Sequence, residues 1–372
     1  MTTTLRVVLD QLVAPTDHDL AEASAELARA LVDAAPRGCA VEGIVPAGAF
    51  DADSLPGLAG VHRTALPRRE LARSLQVGMG AGVGAGMIHS PTLLAPLVRH
   101  DRIHRHDQTV VTLWDLRAWE APEELPRTAV AWQRAMVKRA TKHADAVVVP
   151  THAAAEVLST HARLGDRIRV IAGAPPRGFS VPIDDVGRRR ELGLPEGFVL
   201  LAGGELASDA LAAGLAAVAH SGLDLPVVVI DTEEGHEPAV ADLAAASGIP
   251  ERRLHVRGHL DAVDRAAVFG AALAFVAPSA RSAFPWRVLD ALCLGVPVVA
   301  ADSPVHREII VDGGLLVDPD AGSLVDGLSA GLAAALGSTT AADRLAVLAA
   351  DRGRAFSWRE AADRVWQLHA EL

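Results

Sequence analysis

The chain contains no tyrosine, and aromatic residues make up only 3% of it. Binding single-stranded nucleic acid takes a platform of stacked rings, so this scarcity argues against one. Positive charge is also in deficit. The 35 Lys and Arg stand against 46 Asp and Glu, a net charge of -11, whereas a phosphate backbone selects basic surfaces. The run Arg188–Arg190 is a local exception and reads as a solvated helix face. Cysteine is limited to Cys39 and Cys293, far apart in sequence. That pattern fits ordinary thiols in a reduced, cytoplasmic chain rather than a disulfide framework. No uninterrupted apolar run reaches the roughly 18 residues a membrane helix needs, so no transmembrane segment is expected. The first residues, MTTTLRVVLDQLV, lack the basic start and cleavage site of a signal peptide.

Familiar ligand motifs are missing too. QVGMGAGVGAGMIHSP has five glycines, but they recur at spacing two and no lysine follows. GxGxxG is not met, which removes the dinucleotide fingerprint of a dehydrogenase or epimerase. The stretch reads as a flexible connection into a strand. HDRIHRHD, His100–Asp107, has metal-ligand residue types without the HExxH frame and reads as a polar turn, so no metal is expected. Neither a Ser-His-Asp arrangement nor a redox CxxC is visible.

What is present is apolar mass in βα alternation. With 372 residues, half of them hydrophobic, the chain can fill two cores. LRVVLDQLV, CAVEGIVPA, TVVTLWDL, DAVVVP and RIRVIAG read as strands of a first half. DLAEASAELARALVDAA is an amphipathic helix that Asp19 can cap. APPRGFSVPIDD, rich in turn formers, reads as a linker. A second half repeats the alternation through FVLLAGG, LPVVVID, RLHVRG, AALAFVAP and VPVVAAD. Near the end, Ser357 and Glu360 form a capping box at the head of a last helix. Trp132, Trp358 and Trp366 fall at helical positions and read as core. The expected fold class is α/β, with two Rossmann-like doubly wound parallel sheets facing a cleft. The domains are placed at 1–176 and 197–354, with a linker at 177–196 and a closing helix at 355–372.

An ordered set of segments then carries a resemblance. MIHSPTLLAPL, VVTLWDL, HADAVVVPTHAAAEVL, RIRVIAGAPP, RLHVRGHLDAVDRAAVFGAALAFVAPS, CLGVPVVAADSPVHREIIVDGGLLVDP and FSWREAA follow one another across the chain. The set resembles the GT-B glycosyltransferases of the large retaining family 4. The resemblance implies a nucleotide-sugar donor as substrate, a glycan or small-molecule acceptor, no cofactor and no metal. It also implies that the last helix crosses back to the first domain.

Site residues follow from the same resemblance, and the chain departs at most of them. Two family glutamates, expected at the donor sugar and the ribose, correspond to Ser282 and Asp290 at the same spacing. Asp290 keeps a carboxylate for the ribose; Ser282 keeps only a hydroxyl. Phe284 is retained in the loop between them, while Ala283 and Pro285 replace glycines. The basic pair that neutralises the leaving diphosphate corresponds to Gly204, after Gly203, and to Asp209, which has the wrong sign. Two lost charge-assisted contacts at about 1.5–3 kcal/mol each weaken a donor roughly 10²–10⁴-fold. The family histidine near the transferred sugar becomes Trp114, with Asp115 retained. Arg281 and Arg287 flank the altered loop and are either substitute phosphate ligands or solvent-facing residues. Glu308 matches a donor-side glutamate or is an exposed helix position, and His89, at a strand end, is the acceptor-side candidate or a structural histidine. Two readings stand: a retaining glycosyltransferase with a rewritten donor site, or an inactive relative that binds a glycan. A partner glycosyltransferase or a second copy of the chain is the expected protein partner.

Overall fold

The computed structural model describes residues 3–80, 82–100, 107–319 and 322–372. The chain forms two compact units. One comprises Met1–Arg177, Ser282–Phe284 and Phe356–Leu372; the other comprises Gly178–Arg281 and Pro285–Ala355.

In the first unit seven parallel strands, β1 (Thr3–Val8), β2 (Cys39–Ala47), β3 (Gly60–Pro67), β4 (Met87–Ser90), β5 (Gln108–Thr112), β6 (Ala146–Val149) and β7 (Ile168–Val170), lie in the order β3-β2-β1-β4-β5-β6-β7. In the second, β8 (Phe198–Ala202), β9 (Val227–Ile230), β10 (Leu254–Val256), β11 (Ala272–Ala277), β12 (Val298–Ala301) and β13 (Gly314–Val317) lie in the order β10-β9-β8-β11-β12-β13. The inner strands read as continuous apolar runs because helices cover both faces of a parallel sheet. β5, β6, β9 and β12 are buried at every position. Val8, Ile88, Val111, Val147 and Met136 share one core; Val199, Val229, Val276, Val299 and Leu332 share another.

The strand orders locate the places that matter for function. In each sheet the winding reverses once, between β1 and β4 and between β8 and β11. The crevice outside the carboxyl ends of such a strand pair is where open α/β sheets take ligands. The loops after β1, β4, β8 and β11 are therefore the ones to read.

Local chemistry explains the element ends, with some corrections. The helix His18–Asp33 is capped by Asp17, whose side chain accepts from Leu20 N, and not by Asp19, which lies inside its first turn. The strand opening the chain ends at Val8, and Asp10 falls in a short 3-10 turn. Arg188–Arg190 lie on the helix Asp185–Glu191, but the run is not a solvated face. Arg188 pairs with Asp184 and Asp264, and Arg189 is buried against the Pro195 carbonyl. Among the described residues no helix is long and apolar enough to cross a membrane.

The last helix, Trp358–Glu371, packs within the first unit against His18–Asp33, where Trp366 Nε1 donates to the Leu31 carbonyl at 3.1 Å. Its N-cap, Ser357, accepts from Glu360 N at 3.1 Å. Ser357→Ala should cost about 1 kcal/mol of unfolding free energy, since one first-turn N–H loses its partner. Denaturant unfolding checks this, and no change would mean that packing alone holds the helix end.

Candidate functional site

Gly203 and Gly204 follow β8 at the reversal point of the second sheet, and Ser279 to Arg281 follow β11. The Asp209 carboxylate lies between them, with Oδ2 accepting from Gly204 N at 3.0 Å. Its Oδ1 stands 3.3 Å from Arg281 Nη2. The wrong-signed residue read from the sequence thus has an internal partner, and Arg281 is neither a bare solvent-facing residue nor an uncommitted cation. Ser279 Oγ ties the loops together by donating to the Ser208 carbonyl at 2.7 Å.

A second cluster lies on the helix Trp286–Cys293. Arg287 is only 8% exposed and Asp290 2%. Arg287 donates from Nε to Asp231 Oδ2 at 2.5 Å and from Nη1 to Asp290 Oδ2 at 3.1 Å. The same Asp290 oxygen accepts from Arg265 Nε at 2.8 Å. Arg265 is fully buried, with its guanidinium 5.4 Å from the centre of the Phe179 ring. Asp231, just past β9, has φ 63°, a left-handed conformation that aspartate tolerates better than most residues. Burial pushes its carboxyl up, but Arg287 and His259 reverse this and hold it well below the usual carboxylate range. Burial and the neighbouring Asp290 raise the Cys293 thiol. The solvent-facing alternative for Arg287 is therefore corrected: its guanidinium is committed to two carboxylates inside the unit.

The remaining donor-side candidate, Glu308, is half-buried on the helix Pro304–Ile310, and its carbonyl accepts from Arg352 Nη2 at 2.8 Å. The neighbouring His306 is buried, held on the Ala301 carbonyl at 2.7 Å, and its pKa is lowered by burial.

Ser282 and Phe284 belong to the first unit. There Phe284 packs on Trp114 with ring centres 5.5 Å apart, and Trp114 lies edge-on to Trp358 at 6.4 Å. Trp114 is buried and donates from Nε1 to the Pro91 carbonyl at 2.9 Å. It fills and ties the interior and does not present a free ring to a sugar. Ser282 Oγ donates to Glu120 Oε1 at 2.5 Å. Asp115 accepts from Arg117 N at 2.5 Å and pairs with the Arg117 guanidinium at 3.2 Å.

His89, the acceptor-side candidate, has no exposed surface. Its Nδ1 lies 3.4 Å from His369 Nε2, and His369 is hydrogen-bonded to Gln108 at 2.8 Å. It is an interior residue of this unit, not a surface ligand.

Sequence reasoning missed two groups. Asp231 and Arg265 complete the cluster around Asp290. In the first unit Asp10 is buried just past β1, where it accepts from Arg68 Nε at 2.7 Å and from Thr92 Oγ1 at 3.2 Å. Thr92 follows β4, so this pair marks the reversal point of the first sheet. Burial raises the Asp10 pKa despite Arg68. An acid directly after a buried strand, as in LPVVVID and LRVVLD, was the available signal. The metal-like run His100–Asp107 falls largely outside the described residues. His100 itself pairs with Asp145 at 2.9 Å, and Asp107 accepts from Gly86 N. Among the described residues no group of three or more His, Cys, Asp and Glu could hold a metal ion.

Residues 209–334 match the family model described as glycosyl transferases group 1. Several solved structures are similar along the whole chain. HepE of Anabaena, in complex with UDP and glucose, is 18% identical with a TM-score of 0.71, covering 100% of both chains. Sucrose-phosphate synthase of Thermosynechococcus elongatus is 18% identical, TM-score 0.73, covering 99% of this chain and 98% of its own. WaaG, a glycosyltransferase involved in lipopolysaccharide biosynthesis, is 15% identical, TM-score 0.66, covering 97% and 98%. No curated protein sequence matches the chain significantly. The chain therefore shares the two-domain Rossmann-like fold of these glycosyltransferases.

Proposed function

We propose that the chain is a glycosyltransferase-like scaffold that does not use a nucleotide sugar in the usual way, and that it acts by holding a glycan or by stabilising a partner transferase. The observation that carries this reading is the state of Asp290. Its carboxylate, matched to a ribose ligand by resemblance, is 2% exposed and already bound by Arg265 and Arg287. A ribose hydroxyl would have to compete for this carboxylate with two guanidinium groups, replacing a hydrogen bond in which both partners are charged by one in which only the acceptor is. The pairing of Asp209 with Arg281, and the burial of Trp114, support the same reading. The free thiols Cys39 and Cys293 are consistent with the cytoplasm as its place of action.

Thermal unfolding of the purified chain with UDP-, GDP-, ADP- and dTDP-sugars at millimolar concentration tests it. A ligand at about 100 times its Kd stabilises by about 2.7 kcal/mol, a shift of several degrees. No shift is expected with any donor, and a clear shift with one of them overturns the reading. The second reading, retaining sugar transfer from a nucleotide-sugar donor to a glycan or small molecule, is favoured by one observation. The Arg281 side chain, 28% exposed, stands at the reversal point close to the Gly204 N–H. That arm keeps one cation where a leaving diphosphate would need it.

A further inference from the structure

Of the 35 Lys and Arg in the chain only two are lysines, Lys138 and Lys142. They lie one turn apart on the helix Arg127–His143 of the first unit. On that helix the exposed positions Arg127, Ala131, Arg134, Lys138 and Lys142 recur every three or four residues, so they form one stripe along its outer face. At about 1.5 Å per residue the stripe is ~22 Å long. The helix carries no acid. The neighbouring helix Arg68–Gln76 packs on it, with Trp132 Nε1 donating to the Ala72 carbonyl at 3.3 Å, and adds the exposed Arg69 and Arg73 and a single acid, Glu70. Folding does not account for this pattern. Arg127 stands at the positive end of the helix dipole, with no acid in the first turn to answer it. Arg134, Lys138 and Lys142 follow one another at i, i+4, where like charges destabilise a helix. Arg134 donates to the Ala118 carbonyl at 3.0 and 2.7 Å, a neutral partner. A cationic row that weakens its own helix, on a chain whose net charge is -11, points to an anionic ligand.

We propose that this face binds an acidic glycan, a chain of sugars carrying carboxylates. The inference rests on the reading of the chain as a scaffold that holds a glycan, and it names the class of glycan and the surface that takes it. A linear row of cations matches a linear polyanion. Guanidinium groups take carboxylates in two-point contacts, and the ammonium groups of Lys138 and Lys142 are mobile point charges that can follow a flexible chain. A lipid surface fits the stripe less well, because no large apolar side chain on it could enter a bilayer. Single-stranded nucleic acid needs rings on which to stack its bases. Trp132, the one Trp, Phe or Tyr of the helix, is half-buried and tied to Ala72.

The test is calorimetric titration of the full-length chain with an oligogalacturonate long enough to span the row, beside a neutral maltooligosaccharide of the same length. The acidic ligand should bind, more weakly as salt is added, and the neutral one should not. Lys138→Gln with Lys142→Gln should weaken binding by roughly ten-fold, while Lys138→Arg with Lys142→Arg should keep it. Both substitutions are on exposed positions, and the first relieves like-charge repulsion, so the variants should fold. A second measurement needs no variant. In the unaltered chain the oligogalacturonate should shield Lys138 and Lys142 from acetylation by an N-hydroxysuccinimide ester, read by mass spectrometry, and the neutral ligand should not. Absence of binding, binding that the Gln pair leaves unchanged, or lysines that stay unshielded overturns the inference. So does tighter binding, through the same lysines, of phosphatidylglycerol vesicles or of a duplex DNA oligonucleotide. Stabilisation of the chain by a nucleotide sugar overturns the preceding reading and leaves this face untouched, so the two failures are told apart.

Discussion

Asp290→Ala should destabilise the second unit by about 3–5 kcal/mol, because it strips a shared carboxylate from two buried guanidinium groups. Arg265 is the group most affected. It is fully buried, and the bond from its Nε to Asp290 is the short contact at 2.8 Å. Arg287 suffers less, since it keeps Asp231 at 2.5 Å. The loss comes from leaving charge in the interior without its counterion, not from the favourable worth of the pair, which burial largely cancels. Asp290→Asn, which preserves volume and one acceptor oxygen, should lose less. For a unit of this size 1 kcal/mol moves the midpoint by about 2–4 °C, so Asp290→Ala should lower it by roughly 10 °C. Thermal or urea unfolding of the full chain reads this directly. A loss under about 1 kcal/mol would mean that the carboxylate is not structural and is available to a ligand. The outcome therefore bears on function as much as on folding.

The same cluster shows how far the sequence was legible. The inner strands were readable because a parallel strand covered on both faces has to be apolar at every position, as in VVVI of β9 and VVAA of β12. The edge strands β3 and β13 were not read. β3 alternates exposed and half-buried positions with one buried residue, and β13 is four half-buried residues, so neither gives a buried run. Site positions were legible through the family resemblance, which matched Asp209 and Asp290 to donor-side residues and left Arg281 and Arg287 flanking the loop before the helix Trp286–Cys293. Their state was not. Arg287 meets Asp231 across 56 positions and Asp290 meets Arg265 across 25, pairings fixed by strand order and absent from any local pattern. Asp209 read as a repulsive charge because its sign is visible in sequence while its partner Arg281 is not. His89 read as a candidate ligand because a histidine at a strand end looks alike whether or not a later helix covers it.

That buried histidine pair yields the second large effect, a loss of stability in the first unit between pH 6.5 and 4. Burial lowers the His369 pKa to about 4, and burial, then the nearness of His369, lowers that of His89 well below its ordinary value. In the unfolded chain both titrate near 6.5. Between 6.5 and 4 the unfolded chain therefore binds protons that the folded chain refuses, and stability must fall as pH falls. Above 6.5 both states are neutral and the full stability is present; below 4 the His369 contribution has been lost and falls no further. Over that window His369 alone accounts for about 3 kcal/mol, at 1.36 kcal/mol per pH unit. His89 acts in the same direction. Asp10 and Asp17, whose pKa values are raised in the fold by burial, oppose the trend as they protonate. Gln at 369 can still meet Gln108, so His369→Gln should fold and remove about one proton from the slope. The measurement is urea unfolding of both chains at half-unit steps from pH 7 to 4.5. Equal slopes would show that His369 takes up its proton inside the folded unit, which would require the helix Trp358–Glu371 to open without global unfolding, because it is this helix that carries His369 onto Gln108 and His89.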